Sequence, residues 1–381
     1  MFNYIKESIV DLCLVDWIFS FLVAVLIILI VVKNASVLKL IDIPNERSSH
    51  DTPKPRGAGI AIYLSFIVSI LLFFNDFFIE NITFFISLSL IFLVGVYDDV
   101  KGVKPRVKFL VISIAVTLLF FIDNLSIDSL GVWFGYEVNF PMIVSLAFTI
   151  FAITGYTNAL NLIDGLDGLA GGISLVIFLS FLYLGFVYDD NFVIYISFFM
   201  SSTLFAFLFF NWYPAKIFMG DSGSLVLGFV ISVVAIRLTE QINIVSVLFL
   251  ASLPILDTIM VMVRRMQRSL SPFSPDKSHI HHKLLRWKTE VDYTVMLIIL
   301  MQVSFSLLGI LLVDQNNVLN TITYAVILYI FFNIFDDRKI NRKEILLKGH
   351  TKVTNILIES RYSYPLVAVV IVLLLLLKYF L

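Results

Sequence analysis

Asn158-Ala-Leu-Asn161-Leu-Ile-Asp164-Gly165-Leu-Asp167-Gly168-Leu-Ala-Gly-Gly172 is a polar stretch set between two strongly apolar runs, 140–157 and 169–188. Unpaired amides and carboxylates beside hydrocarbon cost several kcal/mol each, so such a stretch needs partners or a task. At helical spacing Asn158 shares a face with Asn161, and Asp164 with Asp167, while the glycines let a ligand approach the backbone closely. The stretch reads as an active-site segment at the mouth of a membrane protein.

The rest of the chain fits that setting. Of its 381 residues 59% are hydrophobic and only 14% charged, with a mean hydropathy of +0.96, which excludes an ordinary soluble protein. The expected fold class is an all-α integral membrane protein, a polytopic helical bundle forming one domain over 1–381. The lone Cys13 excludes internal disulfides and a cysteine-based metal site. A net charge of −1 gives no reason to expect a nucleic-acid partner. Lys6 is accompanied by Glu7, Asp11 and Asp16 where a secretory signal would be cationic, so the first apolar run is expected to stay in the bilayer.

Crossing ~30 Å of hydrocarbon takes roughly 17 to 25 residues. Runs of that length lie at 14–33, 58–75, 81–97, 107–123, 140–157, 169–188, 191–210, 222–238, 242–263, 292–313, 318–335 and 363–381, which gives eleven to twelve transmembrane helices. All but Lys6, Arg237 and Lys378 of the 27 Lys and Arg residues fall in one alternate set of connections. By the positive-inside rule that set is cytoplasmic and both termini face outward. Residues 336–362 then form a basic cytoplasmic linker before the last span.

Five polar segments fall on the same, cytoplasmic side, and with them the expected active site. They are Ile41 to Gly57, Gly95-Val-Tyr-Asp98-Asp99, Asn158 to Gly172, Phe218-Met-Gly220-Asp221-Ser-Gly223-Ser224, and Pro275-Asp276-Lys277-Ser-His279-Ile-His281-His282. Asp98 and Asp99 cannot both ionise freely at a membrane boundary: either one carboxyl is raised and serves as a base, or the pair organises a cation. The plain alternative is a solvated helix end neutralised by Lys101 and Lys104. Lys108, at the foot of the next helix, could reach back toward a phosphate, although taken alone it is one more lysine of the inner connections. Asn161 and the aspartates offer hard oxygen ligands suited to Mg²⁺ or Mn²⁺, although amides bonding across helices would look the same. Asp221 lies beside a helix N-terminus, where it serves as a cap or faces a phosphate. Phe218 could stack on a base, but it is one of 37 phenylalanines. His279, His281 and His282 read first as zinc ligands; beside Arg264, Arg265 and Arg268 and without cysteine they suit phosphate or sugar oxygens better. A secondary transporter is the reading from another class, and it predicts repeated halves and midplane charges. Here the ionisable residues gather at one face.

Together, Asp98-Asp99 with Lys108, the Asn158 to Ala170 segment, Phe218-Met-Gly-Asp221-Ser-Gly-Ser, and Ser271-Pro-Phe-Ser-Pro-Asp276-Lys-Ser-His279-Ile-His281-His282 closely resemble the polyprenyl-phosphate N-acetylhexosamine-1-phosphate transferases, glycosyltransferase family 4, in their WecA-like branch. The resemblance runs in order over about 40–335. It implies transfer of a sugar-1-phosphate, GlcNAc-1-phosphate being favoured, from a UDP-N-acetylhexosamine to undecaprenyl phosphate in the bacterial inner membrane. UMP would be released, and a cell-surface polysaccharide would be initiated. It implies Asp98 and Asp99 as the acidic pair at the lipid phosphate and Lys108 on phosphate. Asn161 and Asp221 would hold Mg²⁺, with Asn158 and Asp164 in support. Gly165, Asp167 and Phe218 would form the uracil pocket, and His279, His281 and His282 the sugar-diphosphate loop; Arg265, close to these histidines, is the candidate arginine for phosphate or sugar. The His-Ile-His-His order differs from the His-His-His of the related muramoyl-pentapeptide transferases, the runner-up within the family. The Asn45 to Gly59 region is similar to that of members using deoxy or epimerised N-acetyl sugars, and a twelfth span exceeds the family's ten or eleven. A homodimer is compatible with this reading and not required by it.

Overall fold

The computed structural model describes residues 13–44, 52–272, 279–286 and 290–335. The 45–50 loop, Asp276 and Lys277, the linker 336–362 and the expected span 363–381 lie outside the described residues.

In chain order the first half comprises helix α1 (Leu14–Asn34), strands β1 (Ile41–Asp42) and β2 (Lys54–Pro55), and helices α2 (Ala58–Phe73), α3 (Asn75–Glu80), α4 (Ile82–Lys101) and α5 (Pro105–Ile122). A hairpin of β3 (Ser129–Trp133) and β4 (Tyr136–Asn139) then leads into α6 (Met142–Ile163), α7 (Leu169–Tyr188) and α8 (Asn191–Asn211). The second half comprises α9 (Asp221–Leu238), α10 (Ile244–Leu250), α11 (Ser252–Gln267), α12 (Ile280–Arg286), α13 (Val291–Leu311) and α14 (Asn317–Ile334). Among the described residues nine helices are long and apolar enough to cross a bilayer, α10 and α11 together make a tenth, bent span, and α2 is a shorter apolar helix of 16 residues. Each of the first eleven expected spans therefore meets a helix.

α9 is the centre of the bundle. Its Leu225-Val-Leu-Gly-Phe-Val-Ile-Ser-Val-Val stretch is apolar on all sides, the pattern of a helix with no solvated or lipid face, and these residues are all buried. Small residues let neighbouring backbones approach it closely. A Cβ on Gly59 of α2 would collide with the Gly223 backbone, and one on Gly95 of α4 would meet Ser222 Cα. The outer helices instead turn leucines and isoleucines outward, as on α1, where Leu22, Leu26, Leu29 and Ile30 are exposed to what would be lipid.

The run 242–263, expected as one straight span, is broken at Ala251, where α10 and α11 meet at 87°. The cause is Pro254, which has no N–H to give to the carbonyl of Leu250. Gln302 of α13 replaces the lost bonds: its Nε2 donates to Leu250 O at 2.7 Å and its Oε1 accepts from Leu253 N at 3.2 Å.

At one end of the bundle the β3–β4 hairpin exposes Phe134 and Tyr136 and is tied to α14 by Asn317 Nδ2, which donates to Val132 O at 3.0 Å. The opposite end carries the polar segments.

Candidate active site

The end of the bundle at which α4, α6 and α8 finish and α5, α7 and α9 begin encloses a cavity of about 840 Å³. Asp98 and Asp99 reach it from the last turn of α4, Asn161 from the last turn of α6, and Asp164, Gly165 and Asp167 from the loop between α6 and α7. Phe218, Gly220 and Asp221 come from the approach to α9, and His282 from α12.

The two adjacent aspartates do different things. Asp99 is buried, and its carboxylate accepts hydrogen bonds from Asp221 N at 2.8 Å and Ser222 N at 3.1 Å, so it caps the N-terminus of α9 from another helix. Gly220, at φ 76°, makes room for it, because a Cβ there would stand 2.7 Å from both Asp99 oxygens. Asp98 turns the other way. Its Oδ1 accepts from Val103 N in the turn after α4, and its Oδ2 pairs with Lys108 Nζ from the first turn of α5.

Lys108 also pairs with Asp221 Oδ2, so one ammonium joins carboxylates 123 residues apart in sequence. Asn161 Nδ2 donates to Asp221 Oδ1 and to Ser224 Oγ, both at 2.8 Å. Three of the sequence motifs thus meet at Asp221.

The far side of the cavity is built around Phe218. The extended segment around it is held by backbone bonds to the β2 region: Phe218 N donates to Pro55 O at 2.9 Å, and Ala58 N to Phe218 O at 3.1 Å. Lys54 Nζ lies 5.3 Å from the Phe218 ring centre and 3.8 Å from Asp167 Oδ2. Asp167 also accepts from Ala215 N at 2.8 Å, while Asn211 clamps the loop by accepting from Gly168 N and donating to Ile217 O, each at 2.8 Å. The apolar ring of Phe218 and a carboxylate within the same wall suit a flat, hydrogen-bonding ring.

The helix-face expectation for Asp164 and Asp167 is corrected. α6 ends at Ile163 and α7 starts only after Gly168 at φ 80°, so both aspartates stand in a non-helical loop. Asn158 is also corrected: it is exposed on α6 and does not line the cavity, although Asn161 one turn on does. Burial raises the Asp164 carboxyl to about 7, with the charges of Asp167 and Asp99 pushing the same way.

His279 and His281 form a buried stack beside the cavity, and the half-buried His282 is tilted against it. His279 and His281 have ring centres 5.7 Å apart, and His281 and His282 4.3 Å apart, with only His282 on the cavity wall. His281 Nε2 packs against Gly165, where a Cβ would lie 2.5 Å away, and burial lowers the His281 pKa to about 3, so the ring is neutral. Arg265 is buried below and donates to Pro272 O at 2.6 Å, closing the chain after α11.

Two side chains were given no role in the sequence reading. Arg56 lines the cavity, with Nη2 donating to Asp99 O, Nη1 3.6 Å from Asp42 Oδ1 and a buried Nε that has no partner among the described residues. It was legible only as one more basic residue in the Ile41 to Gly57 segment. Asp257 lies inside an apolar run, where a solitary carboxylate is itself a signal.

A divalent cation fits the residues at Asp221. Among the described residues no three His, Cys, Asp or Glu side chains converge as a full cage. Mg²⁺ needs none, because it commonly keeps waters and substrate phosphates with one or two carboxylates. Asp221 offers that kind of half-shell once Lys108 and the Asn161 NH₂ yield its oxygens, with Asn161 turning its Oδ1 to the ion.

The glycosyl transferase family 4 model matches residues 81–239, which include Asp98, Asp99, Lys108, Asn161 and Asp221. The chain is 32% identical over 298 residues to a probable undecaprenyl-phosphate N-acetylglucosaminyl 1-phosphate transferase of Bacillus subtilis (strain 168), covering 76% of this chain and 82% of that protein. It is 28% identical to the undecaprenyl-phosphate alpha-N-acetylglucosaminyl 1-phosphate transferase of Salmonella typhi, over 70% of this chain and 74% of that one. For the protein of the same description in Escherichia coli (strain K12) the figures are 27%, 83% and 88%.

Proposed function

Since this chain belongs to glycosyl transferase family 4, we propose that it transfers N-acetylglucosamine 1-phosphate from UDP-GlcNAc to undecaprenyl phosphate, releasing UMP. An acceptor phosphate oxygen attacks the sugar-bearing phosphorus, the bond from that phosphorus to the bridging oxygen breaks, and the electron pair leaves with UMP. The product is an undecaprenyl diphosphate sugar, the starting lipid of a surface polysaccharide.

The observation that carries this reading is the meeting of Asp98, Asn161 and Asp221 in one cavity at one end of an apolar bundle, with Lys108 paired to both carboxylates. Phosphoryl transfer between two anions needs charge neutralisation and in-line placement more than covalent chemistry. Lys108 supplies a fixed positive charge between two carboxylates, and Arg56 a second on the cavity wall. Asp98, held by Lys108 and the Val103 N–H, faces the acceptor phosphate, while Asp99 keeps the α9 N-terminus in place. Mg²⁺ bound at Asp221 and Asn161 would neutralise the diphosphate and polarise its oxygens. Phe218, Gly165 and Asp167 receive the uracil, and His282 lies toward the sugar diphosphate. The basic connections at this end of the bundle support a cytoplasmic site, where the prenyl chain would stay in lipid while its phosphate meets a soluble nucleotide.

Protein purified in detergent should move label from UDP-GlcNAc to undecaprenyl phosphate in a Mg²⁺-dependent reaction. No transfer from any UDP-N-acetylhexosamine by folded protein with Mg²⁺ present would overturn the proposal. Transfer from UDP-MurNAc-pentapeptide instead would move it to the muramoyl branch, which the named relatives do not favour.

A further inference from the structure

We infer that Asp257 is the positioning residue of the histidine stack, setting which nitrogen of His279 carries hydrogen and holding His281 against the cavity loop. The inference rests on the transfer reading above. Asp257 is 1% exposed and lies on α11, in a run otherwise chosen for the membrane. A buried carboxylate needs partners for both oxygens. It has them: Oδ2 is 2.8 Å from His279 Nδ1 and Oδ1 accepts from Ile280 N at 2.8 Å. A carboxylate only accepts, so the hydrogen between them belongs to His279 Nδ1, which leaves Nε2 as the nitrogen presented elsewhere.

The path from that pair to the cavity is short. The His279 ring stacks within 13° of parallel on His281, His281 Nε2 packs on Gly165, and Gly165 lines the cavity between Asp164 and Asp167. His281 Nδ1 is buried with no partner among the described residues, so this ring is placed by its contacts with His279 and Gly165. The 87° break between α10 and α11 brings Asp257 to this place, and Gln302 maintains the break by bonding both Leu250 O and Leu253 N.

A carboxylate at 257 is more than a cap for α12. In Asp257→Asn the amide oxygen can still accept from Ile280 N, while its NH₂ faces His279 Nδ1 and forces the hydrogen to Nε2. The wrong tautomer then stands in an otherwise intact loop.

The test uses the full chain in detergent with ¹⁵N-labelled histidine. Wild-type His279 should carry hydrogen on Nδ1, and Asp257→Asn should move it to Nε2 and lower turnover about tenfold or more, the scale on which the partner of a functional histidine matters. Because Asp257 acts through His279, the double variant Asp257→Asn with His279→Gln should be no slower than His279→Gln alone. A bare Nδ1 in the wild type, or losses that multiply in the double variant, overturns the inference. If Asp257→Asn does not fold, the wild-type tautomer decides alone. Wild-type protein that transfers nothing would sink the transfer reading and leave the tautomer result standing.

Discussion

The carboxylate of Asp99 receives the backbone N–H of Asp221 at 2.8 Å, so the last turn of one helix caps the first turn of another, and the residue so held carries the partners Lys108 and Asn161. The adjacent Asp98 makes no such contact and faces Lys108 and the cavity.

That difference separates two variants the sequence treats alike. Asp98→Asn should lose at least a hundredfold in turnover, the scale of a missing acid or base, with a smaller fall in thermal midpoint than Asp99→Asn, since its amide oxygen can still accept from Val103 N and Lys108 keeps Asp221. Asp99→Asn should lose both turnover and several degrees of midpoint, since breaking a charge-assisted bond to buried N–H groups costs about 1.5–3 kcal/mol. Equal midpoints for the two, measured by tryptophan fluorescence in detergent, would count against the cap. A loss of tenfold or less for Asp98→Asn would reduce it to a positioning role.

Asp221→Ala should abolish turnover and flatten its dependence on Mg²⁺ concentration. Mg²⁺ titrations of residual activity check this, and near-normal rates would remove Asp221 from the cation site.

Gly165→Ala puts a methyl group where His281 Nε2 now packs, 2.5 Å from the new carbon. Turnover should fall about tenfold or more, because the ring can move away only by leaving its stack. Adding His281→Ala removes the obstacle, so the double variant should be no slower than His281→Ala alone. A double variant slower than either single one would show that the contact is not the cause.

Asp164 gives stability a pH dependence of known sign. Its carboxyl titrates near 3.8 when exposed and at about 7 in the fold, because burial disfavours the charge. Its contribution is complete below about pH 4, shrinks as pH rises toward 7, and is flat above that, since over this window the unfolded chain has already released its proton. The thermal midpoint of Asp164→Asn should therefore fall less between pH 4.5 and 7.5 than that of the wild type. Parallel curves for the two would mean that Asp164 is solvated.

Much of the site could be read from the chain because charged and amide side chains contrast with hydrocarbon. Asp98, Asn161 and Asp221 each interrupt an apolar background, His282 stands out as one of a cluster of three histidines, and each reached the cavity. Asn158 misled because periodicity gives a face but not which neighbour covers it, and it is exposed. Asp164 and Asp167 misled because helical spacing was carried past Ile163, into a loop turned by Gly168. Asp257 was passed over because it lies inside an expected span, and Pro254, three residues before it, was the unused sign that the span breaks.

By itself the sequence determined that the chain is a bundle of apolar helices, and which residue types face one end of it. Hydrophobic length and the cost of bare polar groups in lipid act locally, on residues near in the chain. The division of labour between Asp98 and Asp99, the bridge made by Lys108 and the pairing of Asp257 with His279 were decided only by tertiary structure. Those relations depend on which helix ends meet and at what angle, and that is set by close packing around α9 and the bend at Ala251, to which residues far apart in sequence contribute together.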